Sequence, residues 1–172
     1  MKKLYPNLYL KKVEDITIEM IIKNKIKLLI LDVDNTLIDY YKNMSEKVKK
    51  WANSMKNQSV KLYILTNTNK KEKVEKVANE LGIPYKYFAM KPLKRGFKYI
   101  EKATGIPTKN IAVVGDQIFT DVLGGNRCNM FTILVDPIDI TKDYWYTAWK
   151  RPIENRIKNK LKAKEEKNKY VY

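Results

Sequence analysis

Apolar and polar positions along the chain alternate between two periods. Lys27-Leu28-Leu29-Ile30-Leu31-Asp32-Val33 is a nearly continuous apolar run of strand length, the pattern of a strand buried on both faces. Val60–Leu65, Tyr87-Phe88-Ala89, Ile111-Ala112-Val113-Val114 and Met130–Val135 supply four more predicted strands. Between them the period lengthens. Residues 45–57 suit a helix with Ser45 as N-cap and Val48, Trp51, Ala52 and Met55 along one face. Asn69–Leu81 is stopped by Gly82, and a helix opened by Pro92 runs to Thr104 and is stopped by Gly105. Asp116–Arg127 reads as a loop followed by a helix. Strands alternating with helices of this length require right-handed crossovers. The expected fold is α/β: a Rossmann-like three-layer α/β/α sandwich around a five-stranded parallel sheet.

The expected organisation is one core over residues 1–136, with 1–25 packed on it, and a basic, aromatic extension over 137–172. In that extension Ile153, Ile157 and Leu161 recur every four residues among lysines from Arg151 onward, an amphipathic helix running into a charged tail. Tyr144-Trp145-Tyr146 and Trp149, beside Lys150-Arg151, have the composition of an interfacial anchor, but the preferred reading is aromatics packed on the domain's flank.

Composition removes whole classes of chemistry. The chain of 172 residues has no histidine, so imidazole acid–base catalysis, His-containing triads and His-liganded zinc are excluded. One cysteine, Cys128, excludes an internal disulfide and a thiolate metal site, and suits a small buried residue. Carboxylates, hydroxyls and lysines must carry any catalysis. Apolar runs such as Leu28–Leu31 fall far short of the roughly 18 residues of a membrane span. No apolar stretch with a small-residue cleavage site opens the chain, so the expected location is the cytoplasm. The net charge of +16 would attract polyanions such as nucleic acid, an anionic membrane surface or phosphorylated metabolites. A lysine-, asparagine- and isoleucine-rich genome would produce the same excess.

Ligands of open parallel sheets bind beyond the carboxyl ends of the strands. There the first strand runs into Asp32-Val33-Asp34-Asn35-Thr36-Leu37 and the second into Thr66-Asn67. The third is followed by Lys91-Pro92, and the fourth by Gly115-Asp116-Gln117 with Asp121 beyond. Four strand ends thus bring carboxylates, a hydroxyl and a lysine to one rim.

In this order the residues resemble the haloacid-dehalogenase-like superfamily of phosphohydrolases over residues 26–135. Asp32-Val33-Asp34-Asn35-Thr36 is similar to its first motif, Thr66 to its second, Lys91 to its third, and Gly115-Asp116 with Asp121 to its fourth. The second Asp, Asp34, matches the phosphatase members. Asp-Asn-Thr-Leu and the stretch Gly115–Arg127 resemble subclass IIIA, a group that includes phosphatidylglycerophosphate phosphatases.

The resemblance implies a Mg²⁺-dependent phosphomonoester hydrolase working through an aspartyl-phosphate. Asp32 is the implied nucleophile, and Asp34 the acid for the leaving alcohol and then the base for water. Asp32, the backbone carbonyl of Asp34, Asp116 and Asp121 (directly or through water) are the implied Mg²⁺ ligands, a set of hard oxygens. Lys91 would balance charge, Thr66 and the Asn67 N–H would hold a phosphoryl oxygen, and Asn35 is grouped with the phosphate-binding residues. Arg127 could meet a second phosphate or simply complement a helix end.

Receiver domains of two-component signalling carry a similar Asp, Thr and Lys. They place the acceptor Asp after the third strand, whereas here the Asp pair follows the first. From Thr36 to Thr66 is 30 residues and from Thr66 to Lys91 is 25, and both gaps are filled by core elements. No cap domain fits, so the mouth should be open to a large or surface-bound substrate. The leading expectation is phosphatidylglycerophosphate at the membrane surface, with peripheral contact on anionic lipid. The alternatives are a phosphatase of soluble sugar, nucleotide or nucleic-acid phosphates, and a basic RNA- or ribosome-binding protein with unused catalytic residues. No recognisable RNA-binding motif is present.

Overall fold

The computed structural model describes residues 2–139 and 151–169. It divides into two compact units, Met1–Ile138 and Asp139–Tyr172. The first carries strands β1 (Leu8–Leu10), β2 (Leu28–Leu31), β3 (Lys61–Leu65), β4 (Tyr85–Lys86), β5 (Ile111–Gly115) and β6 (Phe131–Val135). Its helices are α1 (Ile18–Lys23), α2 (Glu46–Asn57), α3 (Lys71–Leu81), α4 (Lys94–Thr104) and α5 (Leu123–Arg127). The strands form one parallel sheet in the order β1-β6-β5-β2-β3-β4.

The α/β sandwich expected from the sequence is therefore present, with six strands rather than five. The extra strand, β1, escaped notice because it is three residues long and half-buried at the sheet edge, too short to show a period. Asn7 fixes its entry, since its side chain accepts from Thr132 N at 2.8 Å and its own N–H donates to Thr132 O at 2.9 Å. The strand expected at Tyr87–Ala89 is also corrected. The ladder with β3 ends at Lys86, and Tyr87–Ala89 form the loop beyond it.

Side-chain alternation along β2 explains the three layers. Leu29 and Leu31 face a core built with Val48, Trp51, Ala52 and Met55 of α2 and Val74, Val77, Ala78 and Leu81 of α3. Leu28 and Ile30 face the opposite core, with Phe97 and Ile100 of α4. All four β2 residues are buried, as a central parallel strand requires. Ser45 caps α2 by accepting from Val48 N at 3.2 Å. Gly82 and Gly105 end α3 and α4 with φ of 62° and 67°, a left-handed conformation that glycine adopts without a Cβ penalty.

In the second unit α6 spans Arg151–Lys169. Ile157 is buried and Ile153 exposed. The aromatic group Tyr144-Trp145-Tyr146, Trp149 and Lys150 lies outside the described residues. Among the described residues no helix is long and apolar enough to cross a membrane.

Candidate active site

Asp32 and Asp34 leave the end of β2 with Val33, fully buried, between them. The register of β2 with β5 brings the ends of the two strands together, and Asp32 N donates to Val114 O at 3.0 Å. Gly115 ends β5 and Asp116 follows. The next turn is π-helical, Ile118–Val122, and swings Asp121 back over Gly115. A Cβ at Gly115 would overlap the Asp121 side chain, so the glycine is needed for this close approach. Asp121 Oδ2 accepts from Gln117 N at 3.3 Å and from Thr120 Oγ1 at 3.4 Å. Asp32, Asp116 and Asp121 each offer a carboxylate oxygen within 4.8 Å of the others, and all three are buried.

One lysine faces this cluster. Lys91 Nζ donates to Asp32 Oδ1 at 2.7 Å, Asp121 Oδ1 at 2.6 Å and Leu65 O at 2.9 Å. Its backbone is gripped by the Asn67 side chain, which accepts from Lys91 N at 2.6 Å and donates to Lys91 O at 2.9 Å. The Lys91–Pro92 peptide is cis. Thr66, 1% exposed, stands at the end of β3, where its hydroxyl accepts from Thr68 N at 3.3 Å. A cavity of about 70 Å³ opens over these groups, lined by Asp32, Asp34, Thr66, Asn67, Thr68, Lys91, Gln117 and Thr120.

Burial is the first cause of the electrostatics. It pushes the Asp32 carboxyl up from 3.8 to about 6, with Asp121 and Asp34 adding to the rise and Lys91 opposing it. Asp116 is raised well above its ordinary value by burial, then by Asp32 and Asp121. Burial alone would lower the Lys91 ammonium, but Asp121 and Asp32 outweigh it and hold the group protonated, above its usual value. Three buried carboxylates beside one ammonium leave an excess of negative charge. Desolvated charge of this kind calls for a further cation.

Asp34 differs from the others. Its side chain is half-exposed and ion-paired to Lys73 Nζ, on α3. Lys73, Thr68 and the Asn67 side-chain clamp carry no signal of their own in the sequence, and Gln117 and Thr120 stand there only as part of the Gly115–Arg127 stretch. Lys73 looks there like any lysine of a solvated helix face. Asn35 lies at the strand exit with φ of 58°, its N–H donating to Ile38 O at 2.9 Å, and is not among the residues lining the cavity. Arg127 is not brought to the cleft. It ends α5, which leads into the start of β6, the edge of the sheet opposite the Asp cluster. A cation there complements the carbonyl end of the helix.

Residues 1–139 match the family described as mitochondrial PGP phosphatase. The chain is 35% identical to "Probable phosphatase YqeG" of Bacillus subtilis (strain 168) over 95% of both chains. It is 34% identical over 74 residues to "Phosphatidylglycerophosphate phosphatase 1, chloroplastic" of Chlamydomonas reinhardtii, covering 43% of this chain and 28% of that one. An uncharacterized Listeria monocytogenes serotype 4b protein of known structure shares the fold. Its TM-score is 0.56 at 20% identity, over 69% of this chain and 85% of that one.

Proposed function

The chain belongs to the mitochondrial PGP phosphatase family, and on that premise we propose that it is a Mg²⁺-dependent phosphatase acting on phosphatidylglycerophosphate at a membrane surface. The observation that carries the chemistry is the cluster of Asp32, Asp116 and Asp121 under a single ammonium, that of Lys91. The donor set fits Mg²⁺: hard oxygens, an uncompensated negative charge, and no nitrogen or sulfur ligand in the cluster. Asp32, Asp116 and Asp121, with the backbone carbonyl of Asp34, would hold the ion. When bound, it would screen the nucleophile from the phosphate dianion and stabilise charge on the phosphoryl oxygens.

This chain's own residues then divide the remaining work. Asp32 attacks phosphorus and becomes the aspartyl-phosphate. Lys91, already on Asp32 at 2.7 Å, fixes the carboxylate's orientation and offsets charge on the phosphoryl group. Thr66 Oγ1 and the Asn67 N–H donate to a phosphoryl oxygen, and the Asn67 side chain keeps Lys91 in place. Asp34, half-exposed at the mouth, gives a proton to the departing alcohol and takes one from the hydrolytic water.

Two observations support the lipid substrate. One is the match to the family, together with the partial match to the chloroplastic phosphatase. The other is the position of the cavity at the sheet edge, where the spacing of the motifs leaves no room for a cap. A side-by-side measurement of kcat/KM on phosphatidylglycerophosphate in mixed micelles and on soluble sugar and nucleotide monophosphates tests the choice. A clear preference for the lipid is expected. An equal or higher value for a soluble monoester would reassign the substrate.

A further inference from the structure

The loop between β4 and α4 turns its side chains in and out alternately. Ala89 and Lys91 point inward at 3% and 6% exposure. Phe88, Met90 and Leu93 stand outward at 58%, 42% and 50%. Phe88 and Met90 hold φ of 49° and 53°, a left-handed conformation unfavourable for bulky side chains. Hydrogen bonds impose it: Phe88 N donates to Thr68 O at 2.9 Å, Ala89 N to Thr66 O at 3.0 Å, and Leu93 N to Met90 O at 2.9 Å. The bonds that seat Lys91 over Asp32 thus also present two large apolar groups to solvent. Asparagine would suit this backbone better than either residue.

A second projection leaves the same edge of the sheet. After Asp34 the chain makes a tight turn over Asp39–Asn43, closed by Asp39 N donating to Asn43 O at 3.0 Å. Tyr41, near its tip, is 65% exposed. Cations surround both projections: Lys42 follows Tyr41, Lys94 and Arg95 follow Leu93, and Lys70 follows the end of β3, all exposed. Across residues 38–43, 66–73 and 87–95 the one exposed acid is Glu72. Apolar tips set among cations match an anionic bilayer, with the tips in the acyl boundary and the cations at the head groups.

We propose that this rim is the docking face for an anionic phospholipid bilayer, with Phe88, Met90, Leu93 and Tyr41 entering it around the mouth of the cleft. The inference rests on the phosphatase reading above and states how the substrate arrives: its monoester reaches Asp32 while its acyl chains stay in the leaflet.

The test is flotation of the full chain with vesicles of phosphatidylglycerol and phosphatidylcholine, or of phosphatidylcholine alone, at low and high salt. The wild type should bind the anionic vesicles in a salt-sensitive manner and the neutral ones weakly. The double variant Phe88→Asn/Met90→Asn should lose at least about tenfold in partition coefficient, as expected from withdrawing two large apolar side chains. Its Tm should be unchanged or higher, because asparagine accepts the left-handed backbone; a merely structural role predicts a lower Tm instead. Lys94→Gln/Arg95→Gln should weaken binding and flatten its salt dependence. Equal affinity of wild type and Phe88→Asn/Met90→Asn would overturn the proposal, as would wild-type indifference to anionic lipid. Self-association abolished by the same double variant, without vesicle binding, would assign the face to a second copy of the chain. Mg²⁺-dependent hydrolysis of a water-soluble monoester by the wild type is measured in parallel. Hydrolysis without vesicle binding refutes the docking alone, and vesicle binding without hydrolysis refutes the phosphatase reading alone.

Discussion

Raising the pH should destabilise the metal-free protein. Asp32 titrates near 3.8 when unfolded and at about 6 when folded, so the native state holds the extra proton between those values. A carboxyl raised in this way favours the folded state at low pH, and that advantage disappears as pH climbs through the window. A shift of about two units corresponds to about 3 kcal/mol, lost from below pH 4 to above pH 6. About half of this loss falls between pH 5 and pH 7.5. Asp116 moves in the same direction, which deepens the loss. Lys91 is raised as well, but its contribution stays in place until the pH passes the usual lysine range, so it is silent here. For a domain of this size the Asp32 part alone lowers Tm by roughly 3–6 °C from pH 5 to pH 7.5. The assay is scanning calorimetry in EDTA, repeated with Mg²⁺ at millimolar excess. Mg²⁺ should recover the lost stability at pH 7.5 and have much less effect at pH 5, where protons already neutralise the site. A metal-free Tm that is flat or rises over this range, with no greater response to Mg²⁺ at the higher pH, would refute the picture of three carboxylates sharing one buried pocket.

Gly115→Ala should lower activity through Asp121 rather than through the fold: the new methyl meets the Asp121 side chain, and overpacking of this kind costs about 1–3 kcal/mol. A raised Mg²⁺ midpoint in turnover assays together with a modest fall in Tm is the expected pair of results, and an unchanged midpoint would count against Asp121 as a ligand. Lys91→Met removes the ammonium from Asp32 and Asp121 and leaves buried charge unpaired. About 3–5 kcal/mol of metal-free stability should go with it, read as a urea midpoint, and turnover should be nearly lost. A midpoint within error of the wild type would show that the lysine is not integral to the cluster.

Much of this site is legible along the chain because each piece sits at the end of a buried strand. Leu28–Leu31 and Ile111–Val114 mark themselves by apolar run alone, and whatever follows them must reach the same edge of a parallel sheet. Asp32, Asp34 and Asp116 are found by that rule. Asp121 needs more, since a π-helical turn and the bare Cα of Gly115 together fold it back onto the cluster. Residues that act through tertiary contacts were not visible. Lys73 reaches Asp34 from the neighbouring helix, and the Asn67 side chain grips a backbone 24 residues away. Strand β1 escaped detection because three residues at a sheet edge carry almost no periodic signal. Of the two readings open for Arg127, the helix end fits its place as the last residue of α5, which leads into the start of β6.

The claim on which the rest depends is that Asp32 itself receives the phosphoryl group. Turnover of a monoester with Mg²⁺, quenched in acid within the first catalytic cycles and digested for peptide mass analysis, reads this directly. The account predicts a hydroxylamine-sensitive phosphoryl group on the peptide bearing Asp32, absent from a folded Asp32→Asn variant that also releases no phosphate. Phosphate release by that variant at an undiminished rate, or a phosphoryl group found on a different residue, would contradict it.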